Sequence, residues 1–152
     1  LLKRQYLDKV INGTTVDYLE TYTVYNELGQ VNFIISPKGV AELKSGSWSF
    51  SQNIKDNYTY QFVYDALGRI IEKKVPGQAW MYYGYDDLNR LVLAQDGLMR
   101  ANNKWIFIKY DRQGRAVMQG LYRNITQTSR TTIQTMLNGL YFSSNATYGV
   151  NA

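Results

Sequence analysis

Short runs in which apolar and polar residues alternate recur along this chain, each closed by a small polar turn. Their two-residue period is that of strands, not of helices. The clearest turns share one pattern, reading VYNELGQV from Val24, VYDALGRI from Val63, GYDDLNRL from Gly84 and KYDRQGRA from Lys109. An apolar lead-in, a polar residue, two variable residues, a Gly or Asn and a second apolar stretch specify a β-hairpin. Its three-residue loop is a type I turn followed by a left-handed residue. Gly29, Gly68 and Gly114 suit that last position because they bring no Cβ against the carbonyl, and Asn89 is the residue type that next best tolerates it.

With Ala66-Leu67-Gly68 as the loop, Asp65 and Arg69 flank it as a cross-strand pair and Tyr64 faces Ile70. The same register joins Asp86 to Arg90, Asp111 to Arg115, and the uncharged Asn26 to Gln30. An exposed pair of this kind is worth only about 0.2–1 kcal/mol. Its use is therefore to hold register, with the Asp also accepting a turn N–H. Strict alternation assigns Tyr25, Phe33, Phe62, Tyr64, Tyr83, Tyr85, Leu93, Tyr110 and Met118 to one apolar face, the core. The expectation is that Tyr64, Tyr85 and Tyr110 are largely buried and Asp65, Asp86 and Asp111 are not. The other face is polar but interrupted by Val24, Val63, Ile71, Val92 and Phe107, so part of it is expected to be covered as well.

Between these hairpins the pattern changes. Asn12-Gly13 predicts an opening hairpin over residues 4–25. Ser36-Pro37 reads as N-cap and first helical position, with Val40 and Leu43 on one face and Gly46 as a stop, giving a short helical turn near 37–45. SWSFSQNIKDN is an insertion, Pro76-Gly77 and Asp96-Gly97 are turns, and LMRANNKW is a loop. A cap at Thr128 or Ser129, apolar Ile133, Met136 and Leu137, and Gly139 as a stop predict an amphipathic helix near 130–138 that covers a sheet face or edge. LYFSSNATYGVNA is expected to be a further strand and a tail, within a helix-plus-strand segment 126–152. The whole is expected to be one mainly β module over 1–152, with repeats around 22–35, 60–75, 81–95 and 105–119 forming a twisted sheet or partial shell.

Composition narrows the chemistry. Cys and His are both absent, which removes thiol nucleophiles, Ser-His-Asp triads, the usual zinc sites and disulfides, so neither cofactor nor metal is expected. Carboxylates such as Asp86, Asp87, Glu72 and Asp96 could form a general acid and base pair, but they sit in turns and strands, where structural roles prevail, and no enzyme is expected. The net charge of +5 is spread over the whole chain, so nucleic acid is not an expected partner. Lys73 and Lys74 stand as a basic pair, expected at a solvated edge or turn. No apolar run approaches the length of a membrane span, so no membrane insertion by this segment is expected.

Tyr is the commonest aromatic, 14 against 5 Phe and 3 Trp, which suits rings half-buried on a sheet with their hydroxyls at water or a carbonyl. A sharper reading makes Tyr22, Tyr82 and Trp105 ligand-facing aromatics for a glycan or surface ligand. Asn-x-Thr sequons begin at Asn12, Asn57, Asn124 and Asn145, and matter only in a glycosylating pathway. The absence of an initiating Met and the polar ending lead to the expectation of a segment of a larger protein.

The motif, with VYDALGRIIEKKVPG, YDDLNRLVLAQDG and KWIFIKYDRQGRAVMQGLY around it, resembles the YD-repeat or RHS (rearrangement hot spot) family of large bacterial proteins. The resemblance covers about residues 20–123. It implies a long β-sheet spiral able to close into a shell around a C-terminal toxin, or a secreted surface filament or adhesin. The self-cleaving segment of that family has no match here, so no catalytic residue carries over. Arg69, Arg90, Arg115, Asp65, Asp86 and Asp111 carry over as turn positions, and the first copy departs in having Asn26 and Gln30. The reading is a non-catalytic structural module of a secreted or surface-associated protein, with neighbouring repeats as partners and strand edges that invite self-association; the alternative is a carbohydrate or surface-ligand binding module.

Overall fold

The structure, a computed structural model, describes residues 2–11, 13–123 and 129–139. It is mainly β, built of antiparallel hairpins laid down in chain order. The chain divides into two compact units, Leu1–Trp80 and Met81–Ala152.

The first unit holds β1 (Leu2–Ile11), β2 (Thr14–Tyr25), β3 (Val31–Ile35), α1 (Pro37–Ser45), α2 (Gln52–Tyr58), β4 (Thr59–Tyr64) and β5 (Ile70–Lys74). Each of its strands pairs with the next in sequence. β1 and β2 form the opening ribbon, with Ile11 opposite Thr14. Ser36 caps α1 by accepting from the Gly39 N–H, and the helix buries Val40 and Leu43. α1 runs so close to β3 and to the end of α2 that a Cβ at Gly39 would stand 2.9 Å from Ile35 Cγ2 and 2.7 Å from Tyr58 Cβ. The insertion SWSFSQNIKDN, which periodicity left without structure, contains α2, capped by Ser51 and burying Ile54. Together these helices cover a core of Tyr22, Ile35, Val40, Leu43 and Ile54.

The second unit holds β6 (Met81–Tyr85), β7 (Leu91–Gln95), α3 (Gly97–Ala101), β8 (Lys104–Tyr110), β9 (Ala116–Arg123) and α4 (Arg130–Gly139). Its strands again pair in sequence order. Asp96-Gly97, expected to be a turn, instead starts α3: the Asp96 side chain accepts from the Met99 N–H at 2.7 Å. α4 packs on β6 and adds Leu137 to a core of Val92, Leu93 and Trp105. Its Gln134 grips the Tyr85 backbone, donating from Nε2 to the carbonyl at 3.1 Å and accepting the N–H at Oε1 at 3.3 Å. The expected strand and tail after α4 lie outside the described residues.

All four repeat hairpins share a feature that alternation could not show. Tyr25, Tyr64, Tyr85 and Tyr110 face Val31, Ile70, Leu91 and Ala116, but one residue earlier the pairing skips ahead. Asn32, Ile71, Val92 and Val117 are thus extra residues on the second strands, each a β-bulge. A bulge reverses the alternation beyond it. Phe33, Leu93 and Met118, expected beside the repeat tyrosines, therefore lie across from Val24, Gly84 and Lys109 on the other face.

Candidate functional site

The repeated turn is built by one side chain acting as a three-way acceptor. In the second copy, Asp65 Oδ1 accepts the Leu67 and Arg69 N–H groups, both at 3.0 Å, while Oδ2 accepts Arg69 Nε at 2.6 Å. The backbone closes around it, Asp65 N–H to Arg69 carbonyl and Gly68 N–H to Asp65 carbonyl, both at 3.0 Å. The same five contacts recur at Asp86, with Leu88, Arg90 and Asn89, and at Asp111, with Gln113, Arg115 and Gly114. The closing residues sit at φ 79° for Gly68, 61° for Asn89 and 80° for Gly114.

The first copy was expected to depart from this pattern, yet its geometry is the same. Asn26 Oδ1 accepts from the Leu28 and Gln30 N–H groups at 3.0 and 2.9 Å, Asn26 Nδ2 donates to Gln30 Oε1 at 2.8 Å, and Gly29 has φ 76°. A neutral amide pair thus replaces the charged one. Hydrogen-bond geometry, not charge, defines the turn.

Electrostatics follows from these contacts. Burial pushes the Asp65 carboxyl upward, but the Arg69 N–H and guanidinium and the Leu67 N–H outweigh it and hold the group below its ordinary value. At Asp111 the Arg115 N–H leads in lowering the value, against burial and with help from the guanidinium. These carboxylates are held ionised as acceptors, which suits a turn lock and not a proton donor.

The repeat tyrosines form a second contact, between successive hairpins. Tyr64 donates its hydroxyl to the Val31 carbonyl at 2.8 Å, and Tyr110 donates to the Leu91 carbonyl at 2.8 Å. In each case the acceptor is the residue immediately after the previous turn, following Gln30 or Arg90. Arg90 adds to the latch: its guanidinium lies 4.9 Å over the Tyr110 ring and Nη1 donates to the Asp111 carbonyl at 3.4 Å. Phe in place of Tyr would keep the ring and lose the latch. The presence of Tyr at this position in every copy was the sequence signal for it.

Burial corrects the expected face assignment. Tyr64, Tyr85 and Tyr110 are half-buried, whereas Asp86 is 2% exposed, the reverse of the expected order in that copy. The bulges move core positions to Ile71 and Val92, and α4 packs on the β6 strand that ends beside Asp86. Asp65 and Asp111 are half-buried, as are Arg69 and Arg90, and Arg115 is exposed.

The proposed ligand-facing aromatics fare differently. Trp105 is fully buried at 0% exposure in the core closed by Leu137, and Tyr22 lies buried beside α1, its hydroxyl donating to Glu20 at 2.8 Å. Both expectations of solvent-facing rings are therefore corrected: helices cover the sheet face on which they stand. Tyr82 is half-buried with the Arg100 guanidinium 4.2 Å over its ring. Trp48, which the sequence reading passed over, is exposed and stacked on Tyr22, with ring centroids 6.1 Å apart. Lys74 is not at a solvated edge but ion-paired with Asp56 of α2. Among the described residues no group of three or more carboxylate, His or Cys side chains is placed to hold a metal ion, and no helix is long and apolar enough to cross a membrane.

Each unit is thus a run of antiparallel hairpins in chain order, and the repeat hairpins within it are closed by one recurring turn. Among solved structures this protein is similar to a chain of the Photorhabdus luminescens Tc holotoxin pore, with a TM-score of 0.57 and 12% identity over 91% of this chain and 6% of that one. The likeness is one of fold, and the present chain spans a small part of its neighbour. No protein-family model and no curated protein matches the sequence.

Proposed function

We propose that this chain is a non-catalytic structural module of a large, secreted, toxin-associated protein of the YD-repeat kind, contributing hairpins to a shell or filament wall. The observation that carries this reading is the identity of the four turns. Every repeat acid or amide is occupied in closing its own hairpin, and the repeat tyrosines Tyr64 and Tyr110 fasten theirs to the one before. The resemblance of fold to part of a toxin pore assembly supports the same reading. Burial of Tyr22 and Trp105 removes two of the three rings on which a carbohydrate-binding reading rested.

The test is a panel of glycosidase, esterase and protease substrates beside a glycan titration followed by Trp fluorescence. The expected outcome is no turnover and no saturable change in emission. Turnover abolished by Asp87→Asn or Glu72→Gln at an unchanged unfolding midpoint would overturn the reading, as would saturable glycan binding.

A further inference from the structure

We propose that the second unit holds one bound water between the Trp105 indole and the Gln95 side-chain amide, at the base of the link that carries α3. The site stands apart from the repeat turns, and neither residue belongs to the repeated motif.

Two polar atoms carry the inference. Gln95 is 2% exposed and Trp105 0%, and among the described residues neither Gln95 Oε1 nor Trp105 Nε1, both shielded from solvent, has a hydrogen-bond partner. Such groups are costly to leave unmet, so a buried donor and a buried acceptor in one place call for a ligand between them. The register brings these two together. Leu93 pairs with Phe107 and Ala94 with Ile106, and the same antiparallel step carries on to Gln95 opposite Trp105, which sets both side chains on one face. The other end of the amide agrees with that placement: Nε2 donates to the carbonyl of Lys104, the residue before Trp105, at 2.9 Å. The same bond fixes which way the amide points, since only its NH2 end can donate to a carbonyl. Oε1 is therefore the open acceptor and the indole N–H the open donor.

The polarity of the pair names the occupant. A water accepts from the indole N–H and donates to the amide oxygen, leaving no charge to neutralise, and two such partners meet the minimum that a buried water needs. An anion would be set against the amide oxygen and a cation against the indole N–H. Burial leaves neither side chain open to a larger molecule: Leu137 of α4 packs with Trp105, Val92 and Leu93, and Tyr82, opposite Gln95 on β6, carries the Arg100 guanidinium 4.2 Å over its ring. The bridge ties β7 to β8 where the α3 link leaves the one and enters the other. Gln95 thus uses both ends of its amide to hold the strand that follows α3, one directly and one through the water.

The test is the NMR cross-relaxation between water and the Trp105 indole proton in the whole chain, that signal being identified by its loss in Trp105→Phe. A water held longer than the molecule takes to tumble gives an NOE of the same sign as those within the protein and an ROE of opposite sign, whereas proton exchange gives one sign in both. The expected result is the bound-water pair of signs at the Trp105 indole proton. It should persist in Tyr82→Phe and in Tyr122→Phe, which remove the hydroxyls opposite Gln95 and Trp105 whose exchange imitates a water signal. It should be lost in Gln95→Met. Because Gln95→Met also gives up the bond to Lys104, its amide spectrum is compared with that of the native chain, and the native signal decides by itself where the variant does not fold. No water signal at the native indole proton, an exchange signal alone, loss in either tyrosine variant, or an undiminished signal in a folded Gln95→Met would each overturn the bridge. None of these outcomes touches the structural-module reading, which fails on turnover or glycan binding.

Discussion

The opening ribbon and the third repeat hairpin are both two antiparallel strands, yet they are held in opposite ways. The ribbon is the longer, paired from Leu2 opposite Val24 to Ile11 opposite Thr14, but Leu2, Tyr6, Leu7, Tyr18 and Leu19 along it are exposed. Its cover lies at the base, where Tyr22 is buried by α1 and Glu20 takes both the Tyr22 hydroxyl and the Lys44 ammonium. Hairpin β6–β7 has strands of five residues each, yet Val92, Leu93 and Asp86 are buried. Length of ladder and strength of hairpin are therefore separate properties. The ribbon has hydrogen bonds with little burial, and the repeat has a side-chain lock and a covered bulge, so local opening is expected in the ribbon before the repeat hairpin.

The sharpest way to break this contrast is to remove the lock where it is most buried. Asp86→Ala takes the acceptor from two N–H groups and from Arg90, leaving a partly buried guanidinium without its carboxylate, and should cost about 3 kcal/mol. Asn26→Ala removes the neutral version and should cost about 1–2 kcal/mol. Urea unfolding of the two variants measures the difference; equal losses would mean that burial adds nothing to the lock.

Next in size is the closing residue of the turn. Gly68→Val forces a β-branched side chain into φ 79°, with a Cβ 3.1 Å from Gln30 Nε2, and should cost about 1–2 kcal/mol or more. Asn89→Gly, at the same position of the third copy, should change stability by less than about 0.5 kcal/mol, because Gly accepts that conformation freely. Thermal midpoints separate the two.

Smaller still is the latch. Tyr64→Phe and Tyr110→Phe each remove one hydroxyl-to-carbonyl bond and should cost about 0.5–1.5 kcal/mol. Tyr6→Phe in the ribbon, whose hydroxyl accepts from the exposed Arg4 at 3.3 Å, should be close to neutral. A ribbon variant as costly as a latch variant would erase the contrast.

Proton linkage refines the picture at both ends of the pH scale. Asp65 and Asp111 titrate below their unfolded value of about 3.9, so their contribution is full above that pH and is lost as pH falls through the lower folded values. Burial raises Tyr64, so its contribution is full below about pH 10 and is lost as pH rises through the raised folded value. Unfolding free energy against pH should therefore decline below about pH 4 and again above about pH 10. The alkaline loss should shrink in Tyr64→Phe.

Much of this was legible in the chain. The Asp-x-x-Gly-Arg pattern located the turns, their loop residues and the Tyr64–Ile70 facing pair, because a left-handed residue after a type I turn leaves few alternatives to Gly and Asn. Ser36-Pro37 and the apolar spacing of residues 133–137 located α1 and α4. The bulges were not legible, since an extra residue at Ile71 or Val92 leaves the same letters in the same order and shows only in the pairing. Nor was α2: Ile54 is its one buried side chain, too little for a period, and its Ser51 cap resembles any loop serine. Trp105 and Tyr22 were misplaced because the face they occupy is covered by helices, and strand alternation reports which residues share a face but not what lies above it.

The account's central claim is that the repeat residues build turns through hydrogen-bond geometry, with charge secondary. The most direct measurement is urea unfolding of the double variant Asp65→Asn with Arg69→Gln, which writes the Asn26–Gln30 pair into the second hairpin. The account predicts a loss within about 1 kcal/mol at neutral pH and a flatter decline below pH 4. A loss as large as that of Asp65→Ala would contradict it, and would mean that the charge itself, not the turn, is what the repeat requires.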